Sequence, residues 1–279
     1  MGNTIMGNTI MGNITTKTDF LDKNPIYSSY TSIRLLNISQ LTPEATEFKF
    51  EVIGTKPLKF LPGQYMDFIV DFDEILEIFT AEDHRILSQR KFLGWKNPYP
   101  IYGFSFISNP DIPTIEFISQ GFKVYPHPVQ RYLHTKAKIG DIFFISKEGQ
   151  GKMYWTEQMG NSITCIVGGI GITGVISILR SMKNLDNVKL IISTKFLSLI
   201  PHLDEIKGLV KDIFVTITGE IPDGSKRLNL STLEGLNLDI NGHVFICGPL
   251  AMTEKMKKAC EELGFDPDRI HSEKWKGEE

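Results

Sequence analysis

Between residues 30 and 146, apolar side chains recur at every second position. In TEFKFEV, Phe48, Phe50 and Val52 share one face, while Glu47, Lys49 and Glu51 share the other. In QYMDFIVDF, Met66, Phe68, Val70 and Phe72 face together, opposite Asp67 and Asp71. TIEFIS (114–119) and DIFFIS (141–146) continue the pattern, punctuated by Thr42-Pro43, Pro62-Gly63, Asn109-Pro110 and Gly140-Asp141. A period of two broken by such turns predicts the short strands of an antiparallel barrel or sandwich. PIYGFSFISNP (100–110) belongs to this series, with Tyr102, Phe104 and Phe106 alternating with Gly103 and Ser105. The alternation suits a half-buried strand. It suits equally a strand edge that lays one ring and one hydroxyl against a flat ligand.

From about residue 160 the rhythm changes. SITCIV (162–167), VKLIIST (188–194), FVTIT (214–218) and HVFIC (243–247) are continuous apolar runs of the kind buried on both faces. Between them lie helix-type stretches: ITGVISILRSM, residues 202–211, and a segment starting near Ser231. AMTEKMKKACEELG follows the last strand, with Met252, Met256, Cys260 and Leu263 on one stripe and Gly264 as its C-terminal stop. Strands and helices alternating at this spacing predict a parallel sheet. The expected organisation is a tail over 1–24, a β domain over 25–157 and an α/β domain over 158–279. The stretch 73–100 fits neither rhythm and reads as a surface excursion.

Composition narrows the function classes. With 279 residues, 41% hydrophobic and 23% charged, the chain can bury two cores of ordinary size. A net charge of −3 leaves no basic face for a nucleic acid. The longest apolar runs fall short of the roughly 20 residues of a membrane helix. Three widely spaced cysteines (Cys165, Cys247, Cys260) suggest a reducing, intracellular compartment rather than a disulfide framework, and no Cys/His spacing suggests a metal. The N-terminal MGNTI unit, repeated nearly three times, reads as a local duplication in a disordered tail. A start at Met11 would expose Gly12 with Thr16 as a myristoylation pattern, and the tail is a poor mitochondrial presequence.

Two loops carry candidate chemistry. CIVGGIGITG places Gly168, Gly169, Gly171 and Gly174 between a strand and a helix, with Ile170, Ile172 and Thr173 among them. Glycines there let backbone N–H groups approach a pyrophosphate at a helix N-terminus. The acid expected roughly 20 residues on is absent from KLIISTKF, which disfavours a simple dehydrogenase, and tight helix–strand packing would also explain the glycines. In FICGPLAM, Cys247, Gly248 and Pro249 stand where a parallel strand passes into a helix, the edge at which open α/β sheets bind ligands. Taken alone, Cys247 reads as a buried structural thiol.

FLPGQYMDFIV, GFSFISNP, CIVGGIGITG, FICGPLAM and RIHSEKW occur in this order, and together they resemble the ferredoxin–NADP reductase superfamily. The nearest look is of the oxidoreductase NAD-binding domain-containing branch, on GFSFISNP, on His127-Pro128 before YLH and on the EKW ending. The resemblance implies a flavin-binding antiparallel β-barrel followed by an NAD(P)-binding α/β domain. It implies FAD and NAD or NADP as cofactors and hydride transfer between nicotinamide and flavin N5. Electrons then pass to an acceptor of unknown identity, which can itself be a protein.

By position, it places Phe104 against the flavin ring and the Ser105 hydroxyl near N5. Pro62, Gly63 and Gln64 match the turn before the flavin strand, and Gly168, Gly169 and Gly171 match the pyrophosphate turn. Cys247, Gly248 and Pro249 match the nicotinamide side, and Glu273 and Trp275 the C-terminal acid and aromatic that flank the flavin. Ser105, Cys247 and Glu273 are thus the expected catalytic residues. Relatives in that branch suggest mitochondria, and the compartment stays open between cytoplasm and mitochondrion.

The chain also departs from the pattern. In the family pattern an Arg two residues before the flavin aromatic supplies charge to the flavin phosphates. Ile101, Tyr102 and Gly103 occupy that stretch, and alignment on Ser105 sets Gly103 in its place. The second phosphate motif, Gly-x-x-Ser before a helix, aligns to His127-Pro128-Val129-Gln130 and lacks both signature residues. Lys123, His127 and Arg131 are candidates to compensate, and Lys195 to meet a 2′-phosphate. A second class of function therefore stays open, a reductase-like scaffold that binds NAD(P)H without holding a flavin. So does a small redox-partner subunit.

Overall fold

The computed structural model describes residues 30–54, 58–70, 78, 101–121, 127–219 and 227–273. The repeat-bearing tail, Phe72, Lys123, Trp275 and nearly all of 73–100 lie outside the described residues. β1 (Tyr30–Thr42), β2 (Ala45–Val52), β3 (Tyr65–Ile69), β4 (Ile101–Ser105), β5 (Thr114–Gln120) and β6 (Ile142–Ser146) build a six-stranded sheet in the order β4-β3-β6-β1-β2-β5. Every pairing in it is antiparallel. Just past β4, the Ile107 N–H donates to the Glu116 carbonyl at 2.9 Å, and the Glu116 N–H donates to Ser108 Oγ at 3.2 Å. These bonds join the two edges and curl the sheet into the expected barrel.

The apolar face read from the sequence is the inner face. Phe48, Phe50, Met66 and Phe68 are fully buried there, with Phe117 stacked on Phe50 at 5.2 Å. Each such aromatic contributes about 1.5–3 kcal/mol through burial. α1 (Pro128–Thr135) closes one end of the barrel with buried Val129, Tyr132 and Leu133.

The second half alternates as expected. β7 (Ile163–Gly168), α2 (Thr173–Ser181), β8 (Val188–Thr194), α3 (Leu203–Leu209), β9 (Asp212–Ile217), α4 (Leu230–Glu234), β10 (His243–Cys247), α5 (Leu250–Glu262) and β11 (Ile270–Ser272) follow in sequence. The strands form a parallel sheet in the order β11-β10-β7-β8-β9. β7 is buried along its whole length because it faces two cores, Cys165 and Val167 toward one and Ile166 toward the other. That is why its sequence shows no alternation. α5 buries Met256 and Cys260 and stops at Gly264, whose φ of +96° suits glycine. Burial pushes the Cys165 and Cys260 thiols up to about 12, and none of the three cysteines forms a disulfide. Among the described residues no helix is long and apolar enough to cross a membrane.

The halves are bound together along α2. The Gly63 N–H donates to Ser177 Oγ at 2.8 Å, in a fully buried bond. At the far end of α2, Arg180 donates to the Ile107 carbonyl (2.8 Å), to Glu116 (3.2 Å) and in a fork to Glu205 (2.7 and 2.8 Å). That guanidinium holds the Glu205 carboxyl below its ordinary range. His202, beside Glu205, reaches back to Glu47 on β2 at 2.7 Å. Met153 and Trp155 already belong to the apolar cluster of β7 and α2, so the chain enters the second core before residue 157.

Candidate active site

Strand pairing decides which side chains of β4 face outward. Ser105 lies opposite Tyr65 and Gly103 opposite Asp67, so these four share one face. Tyr102 and Phe104, with Met66 and Phe68 across from them, share the other. Phe104 is 2% exposed and stacks on Phe117 at 4.3 Å inside the barrel. This corrects the expectation that Phe104 presents its ring to a flat ligand. Alternation puts the ring and the Ser105 hydroxyl on opposite faces, and the apolar core claims the ring.

The aromatic side chain on the outer face is Tyr65. A Cβ at Gly103 would stand 3.1 Å from its ring, and one at Gly151 would stand 3.0 Å from it. Both glycines therefore let the ring lie flat over the backbone. Tyr65 is absent from the sequence-based set of candidates, although QYMDFIV carried the signal: Tyr65 is in phase with Asp67, not with Met66.

Glu273 comes to the same place from the end of β11. Its Oε2 accepts the Lys152 N–H at 3.0 Å and would lie 2.8 Å from a Cβ at Gly151. Burial raises the Tyr65 hydroxyl above its ordinary pKa, and the charges of Glu273 and Asp67 raise it further. Ser105, Tyr65 and Glu273 are thus assembled on one surface from three distant parts of the chain.

Gln64 points into its own loop instead. Its Oε1 accepts the Leu61 N–H at 2.8 Å, and its amide reaches the Gly151 carbonyl at 3.5 Å. With Pro62, whose carbonyl accepts the Trp155 N–H at 2.9 Å, it fixes the joint that sets Tyr65 in position. A groove of about 480 Å³ lined by Leu58, Phe60, Leu61 and Gln64 opens beside this joint, and none of Ser105, Glu273 or Cys247 lines it.

The glycine turn lies where β7 passes into α2. Gly169–Ile172 form one 3-10 turn, and no side chain caps either that turn or α2. Backbone N–H groups without a side-chain partner at a helix start are the elements of an anion site. The glycines divide by role. A Cβ at Gly171 would collide with the Cys247 carbonyl, and one at Gly174 would stand 2.8 Å from the Cys247 thiol. At Gly168 it would meet Met252 at 2.6 Å. Packing accounts for these three. Gly169, with φ +53°, faces open space instead.

Ile172 is fully buried, Ile170 is half-buried, and Thr173 Oγ1 donates to the Ile170 carbonyl at 3.0 Å. Gly248 presses on Gly168, whose N would lie 3.0 Å from its Cβ. Pro249 is the residue before α5 rather than in its first turn, and its carbonyl accepts the Met252 and Thr253 N–H groups. Cys247 is 1% exposed, so its visible role is to seat the glycine turn.

The linker connects the two clusters. Gly151 touches Tyr65 and Glu273, Lys152 binds Glu273, and the Met153 methyl would lie 2.8 Å from a Cβ at Gly174.

No family model matches the chain. It is 28% identical over 167 residues to NADH-cytochrome b5 reductase 1 of Aspergillus terreus, covering 53% of this chain and 56% of that protein. It is 27% identical over 143 residues to phenoxybenzoate dioxygenase subunit beta of Ectopseudomonas oleovorans, covering 51% of this chain and 42% of that one. The chain thus spans about half the length of these curated relatives. Among solved structures, the flavohem-like FAD/NAD-binding domain of nitric oxide dioxygenase from Vibrio cholerae superposes with a TM-score of 0.69 at 20% identity. That match covers 87% of this chain and 97% of the domain. The chain has the ferredoxin–NADP reductase fold.

On that fold, the departures from the phosphate-binding pattern take a definite place. Gly103 lies on the outer face with Ser105, and Tyr102 lies on the inner face with Phe104. The Tyr102 ring stands 4.9 Å from the ring of His127, the residue that aligns with the first position of the second phosphate motif. His127 is the N-cap of α1, and its Nδ1 accepts the Val129 N–H at 3.3 Å. Arg131 donates to the Ile78 carbonyl at 2.9 Å. His127 and Arg131 thus each make a contact within the first half of the chain. The Ser105, Tyr65 and Glu273 side chains would fit the ring of a flavin.

Proposed function

We propose that the chain is an NAD(P)H-dependent flavin oxidoreductase that takes a hydride from a nicotinamide and passes electrons to a separate acceptor. The observation that carries this reading is the meeting of Ser105, Tyr65 and Glu273 on the outer barrel face, one linker residue away from the packing of the glycine turn. A bound flavin supplies the redox chemistry by accepting the hydride at N5.

The chain's own residues supply position and charge. The Ser105 hydroxyl offers a hydrogen bond at the ring edge, and Tyr65 gives a flat apolar wall held level by Gly103 and Gly151. Glu273, fixed by the Lys152 N–H, sets a negative charge beside Tyr65, which adds to burial in raising the tyrosine hydroxyl's pKa. The open side of Gly169 and the uncapped start of α2 receive the nicotinamide dinucleotide's pyrophosphate. Lys195, exposed just beyond β8, stands where no acid is present to select against a 2′-phosphate, and NAD(H) is the weaker-charged fit. The acceptor is external, in keeping with relatives named as a cytochrome b5 reductase and a dioxygenase subunit.

A scaffold that only binds NAD(P)H would use the glycine turn and leave the Ser105–Tyr65–Glu273 cluster without a purpose. The test is to mix the purified chain with flavin, add NADH or NADPH without oxygen and follow loss of the flavin absorption band. Bleaching at a rate that Ser105→Ala slows about tenfold supports the assignment. A chain that binds NAD(P)H but no flavin leaves the scaffold reading in its place.

A further inference from the structure

The outer-face side chain next to Tyr65 on β3 is Asp67, which stands opposite Gly103 of β4. The Tyr65 ring lies over that same glycine, 3.1 Å from where a Cβ would stand, so ring and carboxylate adjoin. Two bonds fix Asp67. Its N–H donates to Ser146 Oγ at 3.2 Å, and Gln150 Nε2 donates to its Oδ2 at 2.8 Å. Gln150 is tied in turn to Tyr65 through both backbone groups, accepting the Tyr65 N–H at 3.1 Å and donating to the Tyr65 carbonyl at 2.7 Å. Asp67, Gln150 and Tyr65 therefore move as one piece.

The charge of Asp67 is felt across this face. Burial, then Asp67, raises the hydroxyl of Tyr30 on β1 above its ordinary pKa. Burial, then Glu273, then Asp67, does the same at Tyr65. A carboxylate opposes any negative charge formed close to it. Hydride transfer forms such a charge. The hydride carries two electrons and a proton from NAD(P)H to N5, so the nicotinamide becomes a cation and the neutral flavin ring becomes singly negative.

We propose that Asp67 tunes the donor strength of the bound flavin: its fixed carboxylate weakens the hold on the reduced, anionic ring and leaves the hold on the neutral oxidised ring nearly unchanged. The inference rests on the flavin reading above. By linkage, whatever affinity the reduced ring loses reappears as readiness to give its electrons to the acceptor. One charge acting across a half-exposed, water-screened surface shifts this preference by about tenfold. Gln150 serves to keep that charge beside the ring.

The test is anaerobic calorimetry of FAD, oxidised and dithionite-reduced, with the full chain and with Asp67→Asn, in the absence of nicotinamide. The variant is expected to bind reduced FAD about tenfold tighter than the wild type does, and oxidised FAD within about threefold of it. An equal change in both forms overturns the proposal, because a merely structural residue affects both alike. So does no change in either. In those events NAD(P)H-driven bleaching would still stand, separating failure of this inference from failure of the function. A wild-type chain that binds neither form of FAD overturns both. Gln150→Lys provides a second arm should Asp67→Asn not fold. An ammonium paired with Asp67 offsets its charge in place, and is expected to tighten reduced FAD over oxidised by about threefold or more. Absence of that preference counts against the proposal.

Discussion

The N-termini of the helices α1 and α2 have opposite characters. α2 starts from four glycine-lined residues with no side-chain cap, and Gly169 faces open space. α1 starts from His127-Pro128 and is closed by a reciprocal capping box. One helix start is thus left without a side-chain partner and the other is a finished helix end. What separates them is whether a side chain has already taken the first N–H groups. A helix dipole alone does not make a ligand site.

The contrast can be broken most strongly at the open end. Gly171→Ala drives a methyl into the Cys247 carbonyl, at a cost of about 3 kcal/mol and a fall in the unfolding midpoint of roughly 5–10 °C. An unchanged midpoint would mean that the contact yields easily and that ligand approach, not packing, requires the glycine.

The next effect lies at the ring-facing site, where no helix end is involved. Glu273→Gln removes one of the charges that raise the Tyr65 hydroxyl, so the tyrosine titrates closer to its ordinary value. Flavin reduction is expected to slow about tenfold, as for loss of a preorganised charge. A Tyr65 titration that does not move would place Glu273 away from the ring in solution.

At the sealed end, His127→Ala removes the cap of α1 at about 1 kcal/mol, lowering the midpoint by roughly 2–4 °C. A larger loss would show that His127 carries more than capping.

An effect seen only at acid pH provides a control remote from both helix ends. His271 stacks on Phe245 at 4.8 Å and meets His243 at 2.9 Å. Burial, then His243, lowers its pKa from 6.5 to about 4. A depressed histidine pKa means that the unfolded chain binds the proton first. Stability conferred by neutral His271 is therefore complete above its unfolded pKa and declines as pH falls toward about 4. Replacing His271 with Phe should flatten that decline in pH-dependent unfolding curves.

Most of the architecture could be read from pattern, because a period of two and a run of buried strands are local consequences of what each segment packs against. The glycine turn and the Cys247-Gly248-Pro249 edge were visible for the same reason. Three features were not. Phe104 and Tyr65 are both aromatic, and periodicity separates two faces of a strand without saying which face looks into a barrel. α1 is eight residues long and starts at Pro128, too short for a helical period to stand out. Glu273 and Lys152 are bonded across 121 positions of sequence, a contact that tertiary folding alone creates.

One consequence of α2 concerns length. Its nine residues span about 13 Å, from the glycine turn at one end to Arg180 at the other. Ser177 grips the joint before β3, and Arg180 grips Ile107, two residues beyond Ser105. The helix thus acts as a fixed gauge between the glycine turn and the barrel. Inserting one residue would turn everything after it by about 100° and release both grips at once. The loops around it can drift in sequence; this one helix cannot change its count.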